Sequence, residues 1–110
     1  NVTNMTHMFA DCISLTSIPL FDTSKVTKMY MMCYGCTSLI SVPLFDTSNV
    51  TDMEKTFNGC TNVETGALAL YQQASTQANP PTNHDGTFTD CGINTTTGSA
   101  ELEQIPSDWK

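Results

Sequence analysis

The chain has 110 residues, 39% of them hydrophobic, which is the size of a single domain. No apolar run in it approaches the roughly 20 residues that cross a bilayer. Eleven acidic residues against four lysines leave a net charge of −7, which repels phosphate backbones and anionic lipid. Nucleic-acid binding and membrane insertion of this segment are therefore not expected.

From the first residues onward the sequence repeats itself. Val2-Thr3-Asn4-Met5 aligns with Val26-Thr27-Lys28-Met29 and with Val50-Thr51-Asp52-Met53, a period of 24 residues without slippage. Cys12, Cys36 and Cys60 share one column; Leu15, Leu39 and Val63 share a second; Leu20, Leu44 and Leu68 share a third. Such a period is the signature of repeat architectures, in which each unit covers its neighbours. Because the chain opens at Asn1, inside a repeat, a longer parent polypeptide is expected, with its address signals elsewhere.

Within each unit Val26, Met29, Cys33 and Cys36 recur at steps of three and four, as do Val2, Met5, Phe9, Cys12 and Val50, Met53, Phe57, Cys60. That spacing predicts a short helix. Asp22-Thr23-Ser24 and Asp46-Thr47-Ser48 precede it, with Ser24 and Ser48 as the preferred N-caps, and Gly35 and Gly59 stand where a left-handed residue would end it. Next come Leu15-x-x-Ile18-x-Leu20, Leu39-x-x-Val42-x-Leu44 and Val63-x-x-Gly66-x-Leu68, which read as leucine-rich-repeat strands. Pro19 and Pro43 lack the N–H that would extend a ladder, so the strands should be very short. The expected fold is thus an α/β solenoid, a leucine-rich-repeat-like stack with one short parallel strand and one short helix per 24-residue repeat. Helices pack more widely than strands, so the strands should line a concave side bearing Ser17, Ser41 and Thr65.

Residues 1–68 hold three such repeats, the first truncated, and residues 69–110 read as an expanded, degenerate fourth repeat acting as a C-terminal cap. Phe88-Thr89-Asp90-Cys91 matches Phe9-Ala10-Asp11-Cys12, and Leu102 to Pro106 matches Leu15 to Pro19. Two insertions are expected: a longer helix at about 67–78, stopping before Asn79-Pro80-Pro81, and a polar loop from Asn94 to Ser99. Trp109 should fold over the last apolar layer.

The chemistry-bearing motifs mostly dissolve into this register. Cys33-Tyr34-Gly35-Cys36 suggests a redox pair or half a zinc site, but Cys36 belongs to the apolar Cys12/Cys60 column and Cys33 stands at a Phe position. Packed free thiols are expected, because the spacing between layers overlaps only part of the window for a disulfide. Asp22 and Asp46 suit turn capping better than a calcium ladder. The Asn-x-Thr sequons at Asn1, Asn49 and Asn94 largely restate the repeat, and neither His7 nor His84 has a nucleophile beside it. No catalytic residue, cofactor or metal ligand is expected. On the outer helix face the middle repeat places Tyr30, Met31 and Tyr34, residue types enriched at interfaces; covering the joint between neighbouring helices is the plainer role for them.

Phe45-Asp46-Thr47-Ser48-Asn49-Val50-Thr51-Asp52-Met53, followed by Phe57-Asn58-Gly59-Cys60, resembles the BspA-type leucine-rich repeats of bacterial surface proteins. The resemblance covers residues 1–68, with Cys33 in place of Phe, Thr56 in place of Met, and Gly66-Ala67 in place of Ile-Pro or Val-Pro as departures. It implies a non-catalytic module, extracellular or on the bacterial cell surface, that contacts a protein or glycan ligand in adhesion. A structural spacer or stalk within a larger surface protein is the alternative.

Overall fold

The computed structural model describes residues 2–110. Among the described residues regular helix is confined to the last 44: α1 spans Ala67–Thr76, α2 spans Thr96–Glu103, and a single 3₁₀ turn spans Ser107–Trp109. The first three repeats contain neither a helix nor a strand among the described residues. Isolated parallel bridges join Asn4 to Lys28, Lys28 to Asp52, Asp52 to Asn83 and Ser41 to Thr65, and none extends into a strand. The expected α/β solenoid with a strand and a helix per repeat is therefore incorrect. With no sheet among the described residues, the concave strand face at Ser17, Ser41 and Thr65 is not formed.

Left-handed residues replace the expected helix with a run of turns. His7, Met31 and Lys55 have φ of 60°, 52° and 56°, and four residues later Asp11, Gly35 and Gly59 have φ of 60°, 73° and 81°. A helix requires every residue to be right-handed, so one left-handed residue per turn excludes it. Short local bonds close each turn: Met8 N–H to Met5 O (3.2 Å), Met32 N–H to Met29 O (3.1 Å) and Thr56 N–H to Met53 O (3.2 Å). The intervening N–H groups reach the next repeat instead. Met5 donates to Lys28 O (2.9 Å), Met29 to Asp52 O (2.8 Å) and Met53 to Asn83 O (2.7 Å).

Two physical terms favour this arrangement. A helix of about nine residues must meet the full cost of nucleation and gains few bonds in return. Half its N–H groups gain more from carbonyls already held in place by the neighbouring repeat. The sequence pattern misled because a left-handed residue at every fourth position also turns apolar residues inward at steps of three and four. Val26, Met29, Cys33 and Cys36 are all fully buried, as the stripe requires, without any helix.

The segments read as strands fail for a related reason. Ile40 N–H reaches Thr16 O (3.1 Å) and Val42 N–H reaches Thr65 O (3.0 Å). After Pro19 and Pro43 the chain doubles back in tight turns, with Phe21 N–H on Pro19 O (3.0 Å) and Phe45 N–H on Pro43 O (2.9 Å). Proline cannot donate to a neighbour, so pairing ends there. These turns carry Phe45 into the core and leave Leu20 and Leu44 in solvent.

Near the end of the chain, α1 forms where the longer helix was expected. The loop expected from Asn94 to Ser99 instead opens α2, capped by Thr95, whose Oγ1 accepts the Gly98 N–H at 2.9 Å. A further turn run near residues 83–90 lies against the third repeat: Phe57 N–H bonds Thr87 O (2.8 Å) and Gly59 N–H bonds Thr89 O (2.9 Å). The rings of Phe57 and Phe88 stack at 6.1 Å, so Phe88 occupies the position its sequence match assigns. Trp109 is buried over them, stacked on His84 at 4.1 Å and edge-on to Tyr71 at 5.3 Å.

Candidate interaction surface

Tyr30, Met31 and Tyr34 lie in one turn run, and all three are half-buried. Met31 is the left-handed residue of that run, and Tyr34 N–H closes the turn on Met31 O at 3.2 Å. The Tyr30 ring meets His7 of the preceding repeat edge-on at 5.3 Å. Part of its surface thus seals the joint between repeats, and the remainder is available to solvent.

The structure exposes apolar side chains that the sequence pattern assigned to the core. Leu20 is 66% exposed and Leu44 51%, at the same register position in adjacent repeats; Ile40, expected outside the core, is 45% exposed. Leu68, the third member of the leucine column, is half-buried because α1 carries it. The signal for exposure was Pro19 and Pro43: a residue just past a proline-closed turn no longer follows the alternation of the preceding segment. Near the C-terminus an open groove of about 400 Å³ runs beside α2, bordered by Ile93, Leu102, Asp90, Glu103 and Lys110.

Asp22 and Asp46 do not cap helices, and Ser24 and Ser48 are donors rather than caps. Asp46 Oδ1 accepts the Ser48 N–H (2.9 Å) and hydroxyl (2.6 Å), and Asp22 Oδ1 accepts the same pair from Ser24 at 3.1 and 2.7 Å. Those hydrogen bonds, the serine hydroxyl's first, hold both carboxyls below their ordinary value. Among the described residues no three His, Cys, Asp or Glu side chains converge on a metal-sized site. Nor is any described helix long and apolar enough to cross a membrane.

All five cysteines are free thiols; Cys33, Cys36, Cys60 and Cys91 are buried and Cys12 is exposed. Cys36 donates to Phe9 O at 3.0 Å, and Cys60 donates to Cys33 O at 3.1 Å. The Cys33, Cys36 and Cys60 thiols lie close enough to interact, which lowers the Cys36 pKa and raises those of Cys33 and Cys60. Burial pushes Cys91 up to about 12. The C-x-x-C thus lies in the apolar interior, as the register indicated.

A family model described as "Mycoplasma protein of unknown function, DUF285" matches residues 1–79, and the chain belongs to that family. No curated protein and no solved structure matches it.

Proposed function

We propose that this member of the DUF285 family is a non-catalytic interaction module, displayed on a bacterial surface or secreted, that contacts a protein or glycan ligand. One observation carries the reading: Leu20, Ile40 and Leu44 stand in solvent although the chain buries 22 other apolar side chains. Apolar residues exposed side by side, unlike scattered ones, mark contact surfaces, and Leu20 and Leu44 hold one register position in adjacent repeats. Tyr30, Met31 and Tyr34, each with partial exposure, supply further interface-type side chains. The resemblance of the repeats to BspA-type surface repeats supports the same setting. With a net charge of −7, ligands with neutral or cationic contact groups are favoured over anionic ones.

Binding to arrays of host matrix proteins and glycans tests this, with the wild type compared against Leu20→Ser/Leu44→Ser and Tyr30→Ser/Tyr34→Ser. A ligand held by the wild type and lost by the leucine variant at unchanged melting temperature supports the module. Equal binding by all three excludes these residues as the contact. Absence of any ligand leaves the spacer as the better reading.

A further inference from the structure

Cys12 is the one cysteine at the surface, and it stands in the same column as Cys36 and Cys60. The contacts that place Cys60 against the second repeat are reproduced one repeat earlier. Gly35 N–H bonds Asn58 O at 2.8 Å, and Asp11 N–H bonds Tyr34 O at 2.7 Å. Cys60 Sγ bonds Cys33 O at 3.1 Å, and Cys36 Sγ bonds Phe9 O at 3.0 Å. Cys36 N–H and Cys60 Sγ share the Cys33 carbonyl (3.2 and 3.1 Å), and Cys12 N–H and Cys36 Sγ share the Phe9 carbonyl (3.1 and 3.0 Å). The backbone of Cys12 thus stands to Cys36 as that of Cys36 stands to Cys60, with Cys12 itself open to solvent.

We propose that Cys12 and Cys36 form a thiol–disulfide exchange site for low-molecular-weight disulfides, with Cys12 as the entry thiol and Cys36 as the resolving thiol. The Cys12 thiolate attacks one sulfur of the reagent, forms a mixed disulfide and expels one thiolate. Cys36 then attacks the Cys12 sulfur, forms the Cys12–Cys36 bond and expels the second. Two electrons pass from the two cysteines to the reagent, and both thiol protons end on the released small thiols. Cys36 attacks as its thiolate, its proton passing from the Phe9 carbonyl contact to the small thiolate already released. The product joins the first repeat covalently to the second. Asp11, exposed beside Cys12, and the acidic chain as a whole select a cationic disulfide such as cystamine over anionic oxidised glutathione.

Native protein is incubated with cystamine or oxidised glutathione, acid-quenched, alkylated and digested with trypsin. Cleavage after Lys25, Lys28 and Lys55 places Cys12, the Cys33/Cys36 pair, and Cys60 with Cys91 on three separate peptides. The expected product is peptide 1–25 joined to peptide 29–55, formed faster with cystamine and retained in Cys33→Ser. In Cys36→Ser the join is lost and a stable adduct remains on Cys12. The double variant Cys33→Ser/Cys60→Ser, which leaves Cys36 as the sole thiol of its peptide, must still form the join, whatever the folding of Cys36→Ser. A Cys12 adduct that persists in the wild type without the join overturns the proposal. So does a first join between Cys36 and Cys33 or Cys60.

Discussion

Glu101 of α2 reaches across to Gly66 at the start of α1. Its Oε1 accepts the Gly66 N–H at 3.1 Å and the Leu68 N–H at 3.2 Å. A helix start has free N–H groups and a partial positive charge, and Gly66 has no side chain to cap them. Glu101 therefore acts as a cap supplied from 35 residues away. Glu101→Ala is expected to cost about 1–2 kcal/mol in urea unfolding, within the range of lost caps. Glu101→Gln, which keeps an acceptor but not the charge, should lose about half as much.

Gly66 itself tolerates no side chain. Its φ is 106°, and a Cβ there would lie 2.2 Å from Val42 O. The clash is with backbone, which cannot swing aside. Gly66→Ala is expected to destabilise by more than about 2 kcal/mol, by strain at a left-handed position together with displacement of the second repeat. Glycine in place of the Ile18 and Val42 side chains of its column is thus a requirement of close approach.

Thr56 occupies a column where the first two repeats have Met8 and Met32. It is fully buried, and its hydroxyl donates to Met29 O (2.9 Å) or Met53 O (2.7 Å). Both carbonyls also accept a backbone N–H, so Thr56→Val orphans neither of them. The expected cost in chemical denaturation is about 1 kcal/mol, the net worth of one hydrogen bond. Thr56→Met overfills the site and should cost more, about 1–3 kcal/mol.

Acid sensitivity follows from Asp22 and Asp46, both held below the ordinary value of 3.8 by the serine hydroxyl and N–H that each accepts. A depressed folded-state value stabilises the fold above pH 3.8, and that contribution is lost as pH falls through the lower folded-state values. Both carboxyls are exposed, so the effect is small. Asp22→Asn/Asp46→Asn should melt lower than the wild type at neutral pH, and the gap should close near about pH 2 as the wild-type carboxyls protonate. A gap unchanged down to that pH would show that the charge is not what these residues contribute.

Trp109 closes the core at its C-terminal end. It is 5% exposed, and its carbonyl accepts the Phe88 N–H at 2.9 Å. Trp109→Ala uncovers Phe88 and removes the partner of His84 and Tyr71, with an expected loss of about 3–5 kcal/mol. Trp109→Phe should recover most of it, because the backbone bond and the ring contact both remain.

The sequence by itself determined the register: which residues are equivalent, which columns are apolar, that Gly35 and Gly59 are left-handed, and that Phe88 and Trp109 complete the core. These features follow from side-chain volume and polarity, which recur with the period. It did not determine the backbone. Steps of three and four fit a helix and a run of turns equally, and the choice rests on whether the N–H groups of Met5, Met29 and Met53 bond inside their own segment or across to Lys28, Asp52 and Asn83. Tertiary packing made that choice, because a carbonyl fixed in the next repeat offers a bond without the cost of nucleating a short helix. For the same reason only the three-dimensional structure showed Leu20 and Leu44 in solvent and Cys12 at the surface of a buried thiol column. Exposure is decided by what lies across from a residue, and no period along one chain records that.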